Sequence, residues 1–512
     1  LRTLSVIAET LETISWQEGR RIELDRIGFE DEATYRLLGE GRTVGVFQLE
    51  SSGMRDLLKR LKPCSLEEVC ALIALYRPGP MAVIDDYIQR KQGKIPIHYP
   101  HPALEPVLRE TYGTIVYQEQ VMEIAVRLGG FSFGQADLLR RAMGKKNPEI
   151  IEQQRERFAA GAAARRIAKE QAESVFDHIT RFGEYGFNKS HSLAYAVVAY
   201  HTAFLKANHP RAYLAAMCSN EMGNTDKLAL YAAECRRLGI ALRQPDVNTS
   251  RERFAVEENA LRYGLAAIRN VGLNAATAIR REREARGEYT SFTDFCNRLD
   301  ARLVNGRAVE SLVKAGAFDA LGERRTRLLE RLPAVLAAAH KRQEEKARGQ
   351  IALFGDLGGA PEPDPEPARA VPETESARLA FEKEALGFYL TGHPLAQVQD
   401  LMRAFATSSS SALRQLPEGQ AVRIGGEVVG VRRSTTRRKE PMLRVTLEDT
   451  EGTVEVIVWP DVLGRHGAYL VKDALVFVSG RVDRSGDDSK LVASDIVPMQ
   501  AARWKSCRRG NR

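Results

Sequence analysis

The chain has 512 residues, 44% hydrophobic and 28% charged, enough for three or more cored domains and unlike a disordered polypeptide. Lysine plus arginine (75) exceeds aspartate plus glutamate (67) for a formal net charge of +8, a balance that suits a polyanionic partner without specifying one. The six cysteines (Cys64, Cys70, Cys218, Cys235, Cys296, Cys507) are scattered and no apolar run reaches bilayer length, so structural zinc, a disulfide framework and a membrane span are not expected, and a reducing cytoplasm is.

In chain order, Leu1-Arg2-Thr3-Leu4 lacks both an initiator Met and a signal-peptide pattern, which points to a fragment. Residues 1–240 read as mostly helical. In QEQVMEIAVRLGG, Val121, Ile124, Ala125 and Leu128 form one helix face that ends at Gly129-Gly130. The string ADLLRRAMGKK (136–146) places Arg140 and Arg141 on a helix and Lys145 and Lys146 just beyond Gly144, four cations within seven residues. Such a cluster can clamp a triphosphate, or can simply be a solvated basic helix end. Asn147-Pro148 starts the next helix with an Asn cap and a Pro in the first turn. In YGFNKSHS (185–192), Asn188, Lys189, Ser190 and His191 lie at a helix amino terminus, where free N–H groups favour anions and where Asn188 or Ser190 can serve as an ordinary cap. The following residues, 192–207, form an apolar buried helix stopped by Asn208-His209-Pro210.

Between about 240 and 345, short helices alternate with Gly turns and Arg becomes frequent. LAAIRNVGLNAATAI (265–279) reads as helix, tight turn, helix. The amides around Arg269, Asn270, Val271 and Gly272 can meet a DNA phosphate without reading bases. A looser copy, LVKAGAFDALG (312–322), turns at Gly316; each copy alone is also a plain packing unit, but two in tandem favour DNA. GQIALFG (349–355) offers Gln350, Leu353 and Phe354 beside a Pro-rich acidic spacer (358–373), as a peptide for a partner pocket or as a helix-end contact. From Val422 the period becomes two, with Leu443, Val445, Leu447 and then Val454, Val456, Val458, followed by strand-like runs at 475–482 and 491–497. About five strands with basic loops fit a small OB-type barrel, in which Trp459 and Phe477 are either stacking or core residues.

No P-loop is present, and the helical half shows no closely spaced strand carboxylates of the kind that hold two Mg2+ ions. Asp85-Asp86 and Glu67-Glu68 read as helix-surface pairs.

GVFQLESSGM (45–54), YRPGPM (76–81), YGTIVYQEQVM (112–122), ADLLRRAMGKK and YGFNKSHS resemble, in order and spacing, the fingers of the bacterial DNA polymerase III alpha subunit family, and EKEALGFYLTGHPL (382–395) resembles the segment before its OB domain. The likeness reaches to about Met499. It implies a multidomain α+β chain, with mostly helical fingers and a tandem helix-hairpin-helix region followed by a small all-β OB-fold barrel. The expected divisions are 1–240 (end of palm and fingers), 241–345 (hairpins), 346–373 (clamp-binding peptide and linker), 374–415 (connecting helices), 416–500 (OB barrel) and 501–512 (basic tail). The resemblance further implies template-directed DNA synthesis, in which a primer 3′-hydroxyl attacks the nucleotide's α-phosphate with Mg2+ and releases pyrophosphate. Arg140, Arg141, Lys145, Lys146, Asn188, Lys189 and His191 would then lie at the incoming dNTP or template. Arg269, Asn270, Val271, Gly272 and Gly316 would hold primer–template DNA, and Gln350, Leu353 and Phe354 would dock in the sliding (beta) clamp. Other polymerase III holoenzyme subunits would be further partners. Two departures stand out: Leu1-Arg2-Thr3-Leu4 resembles the end of a palm motif, so the metal-binding aspartates are expected upstream of Leu1, and past the barrel only a basic tail replaces a clamp-loader domain. The alternative is a non-catalytic DNA- and clamp-binding tether.

Overall fold

The computed structural model describes residues 2–145, 147–183, 186–347, 373–392, 394–436, 438–449, 451–484, 489–499 and 501. Lys146, Tyr185, the peptide 349–355 with Gln350, Leu353 and Phe354, almost all of the spacer 358–373, and the tail from 502 lie outside the described residues. The chain forms two compact units, Leu1–Val309 and Glu310–Arg512.

Two helical cores build most of the first unit. Helix Gln118–Gly129 buries Val121, Ile124, Ala125 and Leu128, the face its periodicity predicts, and Gly130 caps it at φ 68°. With Phe133–Gly144, Pro148–Ala164 and Lys169–Gly183 it encloses Leu139, Met143, Phe158, Phe176 and Ile179. Asn147 caps its helix as expected, its side chain accepting from the Ile150 amide. Helix Phe133–Gly144 starts with a reciprocal cap, in which Ser132 accepts from the Gln135 amide and Gln135 Oε1 accepts from the Ser132 amide at 3.0 Å.

The second core surrounds helix Lys189–Asn208, whose buried Ala196, Ala199 and Ala203 meet helix Leu66–Leu75. Small side chains on that face allow the close approach. The helix also buries a charge that hydrophobicity does not reveal. Lys206 Nζ pairs with Glu234 at 2.6 Å and donates to the carbonyls of Arg42 (2.8 Å) and Val44 (2.6 Å). Burial pushes its ammonium down to about 8. One surface assignment is corrected: Glu68 is buried, held by Lys91 at 2.7 Å and by the Tyr112 hydroxyl and the Cys64 amide. It lies in the first turn of a helix whose inward face meets a tyrosine-rich core, and its side-chain partners Lys91 and Tyr112 are 23 and 44 positions away, too far for a pair reading to see.

A small sheet, unforeseen in the sequence, follows: β1 (Ala241–Arg243), β2 (Ala255–Glu257) and β3 (Ala260–Arg262), in order β1-β3-β2. Three-residue strands are too short to display a period of two.

In the second unit, β4 (Ala421–Thr435), β5 (Pro441–Glu448), β6 (Thr453–Val458), β7 (Leu475–Asp483) and β8 (Lys490–Pro498) close a barrel in the order β4-β5-β6-β8-β7. Ile424, Val428, Val445, Leu447, Val456, Val478 and Leu491 fill it. The connecting helices cover one outer face. Phe477 packs with Leu395, Met499, Met402 and Phe405, and Lys383 bridges Glu427 and Asp473. Phe477 is therefore a packing residue.

Candidate nucleic-acid interface

The amino terminus of helix Lys189–Asn208 is tied to that of Gln118–Gly129. The Phe187 amide donates to Val116 O (3.1 Å) and the Gln118 amide donates to Phe187 O (2.9 Å). Glu119 completes the tie, accepting from Asn188 Nδ2 and from the Lys189 amide, both at 2.9 Å. Asn188 is the cap in use, its Oδ1 taking the His191 amide at 2.8 Å. Helix Phe133–Gly144 brings in Arg140, which donates to Gln118 Oε1 at 3.1 Å. The Gln118–Glu119 dipeptide therefore joins Arg140, Asn188 and Lys189 at one place. Arg141 and Lys145 are exposed on the last turn of their helix.

Three of the described cations have a local counter-charge. Arg140 and Arg141 share Asp137 at 2.8 and 2.7 Å, and Lys189 pairs with Glu110 at 2.7 Å. The hydrogen bond from Arg140 holds the Asp137 carboxyl below its ordinary range. An arriving polyanion would exchange these carboxylates for its own oxygens, with forked donors already aimed.

Sequence reading gave no role to the aromatic pile beside these groups. The His191 ring lies 4.4 Å from Tyr195 and 5.6 Å from Phe187, Tyr195 lies 5.3 Å from Phe47, and the Arg77 guanidinium sits 4.3 Å from the Phe187 centroid. The i, i+4 spacing of His191 and Tyr195 was the available signal. Phe47 is held to the same helix: its amide donates to Thr202 Oγ1 at 3.2 Å, and three residues earlier the Val44 carbonyl accepts from Lys206.

At the first hairpin, Asn270 adopts φ 64° and Val271 is buried, its amide donating to Ile268 O at 3.1 Å. Gly272 caps helix Leu273–Arg286 without a side-chain acceptor, and nothing lies within 4 Å of where its Cβ would be, so the turn is open to an approaching group. Arg269 sits one residue before the left-handed turn residue. At the second hairpin, Gly316 (φ 83°) closes over the protein's own Arg325, whose guanidinium nitrogen would lie 2.2 Å from an added Cβ. Arg325 in turn donates to Asp319 and to Lys314 O. The two turns thus differ in what occupies them.

On the barrel, the outer side of β4 and β5 sets Arg432 directly opposite Arg444. Trp459, at the end of β6, is 42% exposed, which resolves it as a surface residue. Among the described residues no three His, Cys, Asp or Glu side chains cluster as a metal site, and no helix is long and apolar enough to cross a membrane.

Comparison with known proteins fits this arrangement. Residues 3–166 match the bacterial DNA polymerase III alpha subunit finger domain, 239–328 a helix-hairpin-helix motif, and 422–499 an OB-fold nucleic acid binding domain. The chain is 42% identical over 508 residues to the DNA polymerase III subunit alpha of Thermus aquaticus, covering 98% of this chain and 41% of that protein. It is 40% identical to the subunit of Mycobacterium tuberculosis strain H37Rv (97% and 43%) and 39% identical to that of Escherichia coli K12 (99% and 45%). It spans less than half the length of these relatives. With matching fingers, hairpin and OB regions in one continuous alignment, the chain is similar along nearly its whole length to a region of the bacterial DNA polymerase III alpha subunit.

Proposed function

We propose that this chain serves a replicative DNA polymerase by binding the incoming nucleotide's phosphates, the primer–template and the sliding clamp. The observation that carries the reading is the junction at Gln118 and Glu119, which puts Arg140 beside the capped helix end of Asn188, Lys189 and His191. Arg140, Arg141, Lys145 and Lys146 take the triphosphate, releasing Asp137. Asn188, Lys189 and His191 face the same pocket, and the pile of His191, Tyr195 and Phe47 supplies a flat wall for a base. Arg269, Asn270, Val271 and Gly272 offer turn amides to a DNA phosphate, and Gly316 marks the second hairpin, whose turn is packed on Arg325. Arg432, Arg444 and Trp459 suit a single-stranded template.

The roles proposed for this chain are binding and orientation of nucleotide and DNA, with Mg2+ supplying charge stabilisation for the reaction in the intact enzyme. Gln350, Leu353 and Phe354 are the proposed clamp peptide, and other holoenzyme subunits the further partners, in the cytoplasm. The test is binding of the correct nucleotide on primer–template by a chain with Arg140→Ala and Arg141→Ala. Loss of nucleotide-dependent binding with DNA affinity retained is expected. Unchanged nucleotide binding overturns the fingers role and leaves a DNA- and clamp-binding tether.

A further inference from the structure

A cleft of about 620 Å3 lies within the first unit, between the end of helix Arg2–Glu18, the segment 249–257 that runs into β2, and the first turns of helix Leu273–Arg286. None of the sequence motifs fell on Trp16 or Arg251, which form part of its wall. Trp16 is 70% exposed, and the Arg251 guanidinium sits 4.9 Å from its ring centroid. The neighbouring arginines are committed: Arg253 to Glu9 at 2.6 Å, Arg262 to Glu257 at 2.9 Å and Arg280 to Glu252 at 2.8 Å. Arg251 has no carboxylate partner among the described residues. Leu273, 52% exposed, lines the same cleft and directly follows Gly272 of the open hairpin turn.

We propose that this cleft binds single-stranded DNA, with one unpaired base stacked on Trp16 and an adjoining phosphate on Arg251. The proposal rests on the reading of the first hairpin as a DNA phosphate site. A base inside a duplex already has both faces covered, whereas an unpaired base offers a π-face to an aromatic shelf. An unpaired guanidinium beside that shelf supplies the charge for the next phosphate. A hydrophobic peptide would use Trp16 and Leu273 but would leave Arg251 without an anion, so nucleic acid accounts for more of the wall.

The chain has three tryptophans, so Trp459→Phe with Trp504→Phe leaves Trp16 as the only tryptophan emitter in the full chain. Titration with an oligothymidylate should quench that emission, and a fully paired duplex of equal length should quench it much less. Trp16→Ala should weaken oligothymidylate binding about tenfold, while Trp16→Phe restores most of it. Oligothymidylate that binds with neither quenching nor an effect of Trp16→Ala overturns the cleft proposal and leaves the hairpin reading standing. An absence of any DNA binding sinks both, and quenching by an aromatic peptide but not by DNA overturns it in favour of a protein partner.

Discussion

Asp137 is the group a phosphate would have to displace from the proposed nucleotide-binding arginines. Its two oxygens are divided between Arg140 and Arg141, so the guanidinium forks are pre-aimed yet neutralised. Replacing Asp137 with Asn removes the competitor and keeps the size of the side chain. Inorganic triphosphate should then bind several-fold more tightly, as read by calorimetry, with a steeper dependence on salt. Weaker binding would mean that Asp137 orients the arginines more than it blocks them. Glu68 answers a different question, that of acid stability. Burial raises the cost of its charge, but hydrogen bonds from Lys91, Tyr112 and the Cys64 amide hold the carboxyl below its ordinary value of 4.5. A carboxyl depressed in the folded state contributes stability above the unfolded value and loses it as pH falls through the folded one. Glu68→Gln should therefore cost about 3 kcal/mol at neutral pH. That gap should stay level down to 4.5 and close only below it, as followed by urea denaturation at each pH.

At the scale of elements, a glycine contact fixes how two of the fingers helices cross. A Cβ on Gly161 would fall 1.7 Å from the carbonyl oxygen of Gly129, so helix Pro148–Ala164 can lie against the end of Gln118–Gly129 only with no side chain there. Gly161→Ala should destabilise the chain by about 3 kcal/mol, because the obstacle is backbone and not a movable side chain. Gly134→Ala, with nothing within 4 Å, is the control and should be neutral or slightly stabilising in the same melting experiment. This contact also marks what the sequence made legible and what it hid. The helix face of Val121, Ile124, Ala125 and Leu128, the caps at Asn147 and Asn188, and the alternation through Leu443, Val445 and Leu447 all follow from local periodicity and local hydrogen bonding. Gly161 against Gly129, Glu68 beneath Tyr112 and Lys206 beneath Arg42 are long-range pairings, with no trace in local pattern. The candidate site divides the same way. Its cations stood out as strings, while Gln118 and Glu119, which join those strings, looked like ordinary helix-start residues.

At the scale of the molecule, the excess of +8 is small and spread over 512 residues, so total charge says little about where DNA is held. The informative cations are those in unfavourable company. Arg432 lies opposite Arg444 across β4 and β5, and Arg444 already pairs with Glu455 at 3.5 Å, so Arg432 is the member of the pair whose only cross-strand neighbour on β5 is a like charge. Arg432→Ala should therefore raise the barrel's melting temperature slightly while weakening single-strand binding. The slope of log affinity against log salt should fall by about 0.7, the value for one phosphate contact on a single strand. A bulkier residue at the open hairpin turn, Gly272→Val, should instead weaken duplex binding and leave the single-strand slope from the barrel in place. If the units contribute separately, the double variant should show the sum of the two losses on a primer–template with an overhang. Loss by either single variant of both kinds of binding would mean that one surface, and not two, carries the nucleic acid.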